Sequence, residues 1–85
     1  MKAAGRTEYE PLGRVIAEVR EEKRMSQRDL ADRARRHQPA IAKIEKGAQG
    51  LDIVEFLDIA DAFGMPPEEL FQRFVKAIQE RHSTN

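Results

Sequence analysis

The 85-residue sequence contains no cysteine, only two histidines and no apolar run longer than three residues. Without cysteine the chain can form neither a disulfide nor a thiolate metal site, which suits a reducing compartment. The short apolar runs exclude a membrane span, because a spanning helix needs about 20 consecutive apolar residues. We therefore expect a cytoplasmic protein with no membrane partner.

Patterns typical of enzymes are also missing. His37 and His82 lie far apart, and neither has a neighbouring cysteine or a spaced set of carboxylates that could hold a metal ion. The acidic pairs 21–22 and 68–69 are adjacent in sequence, so on a helix their side chains diverge instead of converging on a substrate. No glycine-rich phosphate-binding loop is present. We therefore expect no catalysis, no metal and no cofactor.

The net charge is zero, but the charges are unevenly distributed along the chain. Residues 20–46 contain nine basic and five acidic residues, whereas residues 47–85 contain three basic and seven acidic residues. A local basic surface, more than the total charge, decides whether phosphates are attracted. The segment 20–46 is therefore a candidate nucleic-acid surface, although such a run of charges also occurs on ordinary solvated helix faces.

Residues 26–47 carry the signals of two short helices joined by a tight turn. Ser26 can cap the first helix, with Asp29 at the capping-box position three residues later. Pro39 fits the first turn of the second helix, and Gly47 can end it in a left-handed conformation. The apolar residues predicted to be buried are Leu30, Ala31, Ala34, Ile41 and Ile44. Two helices of this length need neighbours, because short helices are not stable alone.

Helical spacing predicts three further helices around this pair. One runs from about Pro11 to about Arg24, and it has Arg20 on its solvated face. A second follows the cap Asp52 and ends at Gly64, and a third begins at Pro66-Pro67. The predicted core residues of the first and second of these helices are Leu12, Val15, Ile16, Val19, Ile53, Phe56, Leu57, Ala60 and Phe63.

Several of these motifs occur together in a known family. Leu30-Ala31, Ile41 and Ile44-Glu45-Lys46-Gly47 resemble, at the same spacing, the helix-turn-helix transcriptional regulators of the XRE and phage Cro-repressor type. The resemblance extends through residues 12–71 and implies an all-α fold. The implied fold is a compact five-helix, lambda-repressor-like DNA-binding domain with a somewhat long C-terminal helix, in which Leu70 and Phe71 complete the core.

We accordingly divide the chain into three parts. Residues 1–10 are expected to form a flexible arm, residues 11–81 a single domain with the helix-turn-helix at about 26–47, and residues 82–85 a frayed tail. The turn departs from the family pattern, because Arg35 stands where glycine is usual and Arg36 where an apolar residue often packs inward. Either the turn is rebuilt, or both arginine heads lie in water near the path of a DNA backbone.

The resemblance also implies which residues contact DNA. In this family the second helix of the pair enters the major groove. The implied base contacts are Gln38, Pro39, Ala40 and Lys43. The implied phosphate contacts are Gln27, Arg28, Arg35, Arg36, His37, Lys46 and Gln49. Glu45 is expected to be structural, paired with a basic side chain of the domain.

The function implied by the resemblance is sequence-specific regulation of transcription on double-stranded DNA, by a homodimer that reads a two-fold operator. Phe74, Val75 and Ile78 form an apolar stripe that either makes the dimer interface or packs back on the first helix. A second class of function stays open. The zero net charge, the acidic C-terminal half and the small side chains of Pro39-Ala40 favour a protein-interaction module on the same fold, such as an antitoxin or anti-regulator, with a protein partner.

Overall fold

The computed structural model describes residues 9–83, with side chains up to residue 80. Five helices follow one another: α1 (Tyr9–Glu22), α2 (Gln27–Ala34), α3 (Gln38–Glu45), α4 (Ile53–Phe63) and α5 (Pro67–Ser83). Residues 9–83 contain no strand, so the predicted all-α class is confirmed. Within this range no helix has both the length and the apolarity needed to cross a membrane.

The predicted capping boxes are both formed. The Asp29 N–H donates to Ser26 Oγ at 3.0 Å, and the Ser26 N–H donates to Asp29 Oδ2 at 2.9 Å. At the start of α4 the Glu55 N–H donates to Asp52 Oδ1 at 2.7 Å, and the Asp52 N–H donates to Glu55 Oε1 at 3.0 Å. α4 ends at Gly64 as predicted, and Gly64 is left-handed with φ 66°. Local sequence therefore decides where α2 and α4 begin.

The outer helices differ from their predicted bounds. α1 begins at Tyr9, two residues before the predicted start, because proline is tolerated throughout the first turn and Pro11 occupies its third position. It ends at Glu22, because Arg24 turns left-handed with φ 59°. Residues 1–8 of the predicted arm lie outside the described residues. At the other end, α5 includes residues 82 and 83 of the predicted tail, and residues 84 and 85 lie outside the described range.

The helices enclose a single apolar core. α1 packs against α3 and α5, α2 packs against α3 and α4, and α4 packs against α5. The buried apolar residues are Val15, Ile16, Val19, Met25, Leu30, Ala31, Ala34, Ile41, Ile44, Ile59, Ala60, Ala62, Phe63, Met65, Leu70 and Phe74. The burial predicted for the helix-turn-helix residues is thereby confirmed, and α2 and α3 are held by the other helices.

Three predicted core residues are instead exposed, and these predictions were wrong. Ile53 and Leu57 on α4 are 73% and 45% exposed, and Phe71 on α5 is 58% exposed. α4 has apolar residues on more than one face, so helical spacing alone does not show which face turns inward. The neighbouring helices bury the stripe that contains Ile59 and Phe63 and leave Ile53 and Leu57 on the surface.

Gly13 allows α1 to approach the C-terminal end of α3. A Cβ atom at this position would overlap the backbone carbonyl oxygens of Ile44 and Glu45. Because Gly13 has no side chain, the backbone of α1 can lie directly against the C-terminal end of α3. A larger residue at this position would force the two helices apart.

Candidate nucleic-acid interface

The turn between α2 and α3 keeps the left-handed geometry in spite of its arginine. Arg35 has φ 59° and ψ 45° and forms the C-cap of α2. The Arg36 N–H donates to the carbonyl oxygen of Ala31 at 2.8 Å, which closes the end of the helix. The sequence left open whether the turn is rebuilt around its arginines, and the structure shows that it is not. Arg35 is held in a conformation that L-residues rarely adopt.

α3 has one buried face and one exposed face. Ile41 and Ile44 are 0% and 2% exposed and anchor the helix on the core. On the opposite side Gln38, Pro39 and Lys43 are exposed, with Lys43 one helical turn after Pro39. Three of the four predicted base-contacting residues are thus presented to solvent together.

Two small residues also belong to the environment of this exposed surface. Ala40, the fourth predicted base contact, is half-buried, so its methyl group is less available than the side chains around it. Ala42, one turn after Gln38, is half-buried as well and was not among the predicted residues. Ala42 could have been predicted from the sequence, because a residue four positions after Gln38 lies on the same face of the helix.

Four exposed cations on α2, α3 and the segments that adjoin α3 form no ion pair with any carboxylate that the structure describes. Arg28 on α2, Arg35 in the turn, and Lys43 and Lys46 on α3 and its C-cap are all exposed. Within the described part of the chain none of the four has a carboxylate close enough for an ion pair. His37, a predicted phosphate contact, is the N-cap of α3, and it is exposed and makes no side-chain capping bond. Gln49 is half-buried in the loop after α3.

The C-terminal end of α3 is held by a network around Glu45. Arg20 donates from Nε to Glu45 Oε2 at 2.7 Å and from Nη2 to Oε1 at 3.1 Å, and Gln27 Nε2 donates to Oε1 at 2.9 Å. The side chains of Arg20 and Glu45 are only 14% and 7% exposed. The hydrogen bonds to Glu45 raise the pKa of Arg20 above its usual value.

This network confirms the structural role predicted for Glu45 and corrects the position predicted for Arg20. Arg20 was expected on the solvated face of α1, but its side chain reaches α3, and its Nη1 also donates to the Met25 carbonyl oxygen at 2.8 Å. Gln27, a predicted phosphate contact, directs its amide nitrogen to Glu45. α1 and α2 therefore both contact the same carboxylate at the end of α3.

The Arg36 side chain differs from the expected arginine head in water. Its Nη2 lies 3.0 Å from Asp58 Oδ2, and its Nε lies 3.7 Å from Glu55 Oε2. The side chain is 23% exposed. Arg36 thus contacts two carboxylates of α4, and its guanidinium is not presented to solvent as those of Arg28 and Arg35 are.

The exposed apolar surface lies mainly on α4, away from the stripe predicted on α5. Phe74 is 6% exposed and packs on Phe56 with ring centroids 5.7 Å apart, so it belongs to the core. Val75 and Ile78 are half-buried. The large apolar side chains that are exposed, here named the α4–α5 apolar face, are Ile53, Val54, Leu57 and Phe71.

Spacing and ring contacts connect the members of the α4–α5 apolar face. Ile53 is one helical turn from both Phe56 and Leu57, and the rings of Phe56 and Phe71 lie 6.5 Å apart, edge to face. A shallow pocket of about 370 Å³ adjoins this surface, lined by Phe56, Pro67, Glu68, Phe71 and Gln72. The exposed residues therefore form one surface with a concave part beside Phe71.

Residues 11–72 of the chain match a family model described as a helix-turn-helix domain. Among solved structures, the restriction-modification controller protein C.AhdI from Aeromonas hydrophila is 26% identical, with a TM-score of 0.74 over 76% of this chain and 98% of that chain. The controller protein C.Esp1396I, solved as a tetramer in complex with its natural 35 base-pair operator, is 26% identical, with a TM-score of 0.79 over 87% and 97% of the two chains.

A third solved structure is similar in fold alone. The clp gene regulator ClgR from Corynebacterium glutamicum has a TM-score of 0.84 over 93% of this chain and 84% of that chain, at 16% identity. No curated protein matches the chain. The five-helix arrangement described above is therefore shared with proteins of widely different sequence.

Proposed function

This chain belongs to the helix-turn-helix domain family, and we propose that it is a transcriptional regulator that binds double-stranded DNA sequence-specifically and acts in the cytoplasm. The observation that carries the proposal is the exposed face of α3, where Gln38, Pro39 and Lys43 are exposed to solvent and where Arg35, Lys43 and Lys46 form no ion pair among the described residues. A controller protein of similar fold, solved in complex with its operator, supports double-stranded DNA as the partner.

Gln38 is proposed as the main reader of sequence. Its side-chain amide can donate to N7 and accept from the N6 amino group of one adenine, a pairing that discriminates by ~1–3 kcal/mol. Lys43, one turn further along α3, contacts guanine O6 and N7 or a nearby phosphate. Pro39 and Ala40 have no side-chain hydrogen-bonding group, so they touch a thymine methyl or allow α3 to approach the groove closely.

The phosphate contacts are proposed on both sides of α3. Arg28, Arg35 and Lys46 supply positive charge, and His37 and Gln49 supply further polar contacts. Gln27 uses one amide hydrogen for Glu45 and has a second that can donate to a phosphate, because its amide group carries two donors. These contacts fix the position of α3 on the duplex, and they make the affinity fall with salt.

We place the dimer contact on the α4–α5 apolar face. An exposed apolar surface of this kind marks an interface more often than a free surface, and the shallow pocket beside Phe71 offers a concave site for side chains of a second copy. A two-fold dimer places two copies of α3 about 34–36 Å apart, one helical turn of DNA. The occupant proposed for this face is therefore a second copy of the chain.

The first test is selection of bound duplexes from a random DNA pool at near-physiological salt. The expected result is an enriched motif with two-fold symmetry. Gln38→Ala is expected to lose the preference at one position of each half-site, whereas Gln79→Ala, which removes an exposed glutamine on α5, leaves the motif unchanged. A wild-type pool that stays random would overturn the proposal and favour the protein-interaction module, with its partner sought at the α4–α5 apolar face.

A further inference from the structure

Each nitrogen of the Arg36 guanidinium lies near an oxygen of the protein, through two ion pairs and two hydrogen bonds. Nη2 lies 3.0 Å from Asp58 Oδ2 and Nε 3.7 Å from Glu55 Oε2. Nη1 donates to the carbonyl oxygens of Ala34 at 3.2 Å and Arg35 at 3.1 Å. An arginine contact to DNA requires these same nitrogens, so a phosphate would have to compete with the two hydrogen bonds of Nη1 and with the ion pairs to Asp58 and Glu55.

One of the two carboxylates, Glu55, is fixed more firmly than an ordinary surface carboxylate. Glu55 also accepts from the Asp52 N–H at 3.0 Å, as part of the capping box that begins α4. Its side chain is 19% exposed and that of Asp58 is 40% exposed. Two carboxylates beside one guanidinium leave a net negative charge at this point, which disfavours an approaching phosphate. Glu55 and Asp58 therefore favour an ion pair with Arg36 over the approach of a phosphate.

The location of Arg36 gives the cluster an effect on α3. Arg36 directly precedes His37, the N-cap of α3, and the His37 side chain makes no capping bond. The opposite end of α3 is held by the bonds from Arg20 and Gln27 to Glu45. The ion pairs of Arg36 supply the corresponding restraint at the N-terminal end, where Gln38 stands.

We propose that Arg36 is a positioning residue, which ties the entry of α3 to α4 through Glu55 and Asp58 and so sets the angle at which Gln38 meets DNA. This inference rests on the DNA-binding function proposed above. It replaces a direct phosphate contact of Arg36, which the sequence suggested, by an intramolecular role. It also makes α4, the helix that carries most of the α4–α5 apolar face, part of the support of the recognition helix.

The decisive variant is Asp58→Asn, with Asp61→Asn as its matched control. Both remove one negative charge from α4, but among the described residues Asp61 makes no ion pair with an arginine. If Arg36 positions α3, Asp58→Asn binds the selected duplex about tenfold more weakly than Asp61→Asn, a loss comparable to one good base contact. If Arg36 contacts phosphate, releasing it from Asp58 makes Asp58→Asn bind at least as tightly as Asp61→Asn, which would overturn the inference.

The salt dependence of DNA affinity distinguishes an arginine that contacts a phosphate from one that positions α3. Arg35→Gln is expected to reduce the slope of log affinity against log salt by about 1 for each chain, because one phosphate contact is lost. Arg36→Gln is expected to lower the affinity and leave that slope unchanged. A slope that falls equally in both variants would contradict the positioning role.

A measurement on the free protein distinguishes a failure of the positioning role of Arg36 from a failure of the proposed DNA-binding function. In the free protein, Asp58→Asn is expected to shift the backbone amide resonances of residues 36–40, and Asp61→Asn is expected to leave them in place. Amides that do not move, or equal affinities of the two variants for a duplex that the wild type selects, overturn the inference about Arg36 alone. A wild-type protein that selects no duplex overturns the proposed function, and the inference with it.

Discussion

Arg20 on α1 and Glu45 on α3 form a two-point contact, Nε to Oε2 at 2.7 Å and Nη2 to Oε1 at 3.1 Å, between residues 25 positions apart. Both side chains are nearly removed from solvent, and no buried side-chain nitrogen or oxygen among the described residues lacks a partner. Gly13 lets the two helices approach closely enough for this contact. α1 therefore supports the C-terminal end of α3.

Removing one partner of this pair is expected to be costly. Glu45→Leu leaves the part-buried guanidinium of Arg20 without the carboxylate of Glu45, and losing a charged hydrogen-bond partner in this way costs about 1–3 kcal/mol of the free energy of unfolding. The double variant Arg20→Met with Glu45→Leu is expected to recover part of the loss, since no unpaired charge is left. Urea denaturation measures both. The control Glu21→Gln removes an exposed acid 4.0 Å from the same guanidinium and is expected to change stability little.

Replacing Arg35 by glycine is expected to separate stability from DNA binding. Arg35→Gly relieves a left-handed conformation that costs about 1 kcal/mol with a side chain, so the free energy of unfolding rises. The same change weakens DNA binding, because a cation beside α3 is lost. Arg33→Gly, inside α2, is the matched control and is expected to destabilise by about 1 kcal/mol. Thermal unfolding that places both variants below the wild type would contradict the argument.

The capping box of α2 predicts a dependence of stability on pH. The Ser26 N–H donates to the Asp29 carboxylate and lowers the pKa of Asp29 below its usual value of 3.8. Because the folded-state pKa is the lower one, the contribution is present above pH 3.8 and is lost as the pH falls through the folded-state value. Asp29→Asn is expected to flatten the acid side of the stability profile. Asp32→Asn, on the same helix but outside the capping box, is the matched control, because it removes one carboxylate and keeps the hydrogen bonds between Ser26 and Asp29.

The exposed and buried phenylalanines of α5 are expected to respond differently to substitution. Phe71→Ser removes an exposed ring from the α4–α5 apolar face, so the proposed dimer dissociates while the fold is kept. Phe74→Ala removes a ring from the core and costs about 3–5 kcal/mol of the free energy of unfolding. Sedimentation equilibrium measures the first effect and circular dichroism the second. A Phe71→Ser protein that keeps the wild-type mass in solution would move the dimer contact elsewhere or exclude a dimer.

Much of the candidate site could be predicted because it depends on local sequence. Ser26 and Asp52 cap their helices through bonds to residues three positions later, and Arg35 takes the left-handed place where the family has glycine. Pro39 limits where α3 can begin. Each of these features needs only a few consecutive residues. The roles of Gln38 and Lys43 were implied by the family resemblance, and the structure shows both residues exposed on α3.

The sequence by itself determined the five helices, their caps and which residues share a face of each helix, because backbone hydrogen bonding and side-chain spacing act over one or two turns. Only the tertiary structure decided which face of α4 is buried, leaving Ile53 and Leu57 exposed, since that choice depends on the helices packed against it. It also decided where Arg20 and Arg36 direct their guanidinium groups. A long arginine side chain pairs with whichever carboxylate the fold brings near. Arg20 pairs with Glu45 on α3 and Arg36 with Asp58 on α4, and both carboxylates are distant in sequence from their arginines.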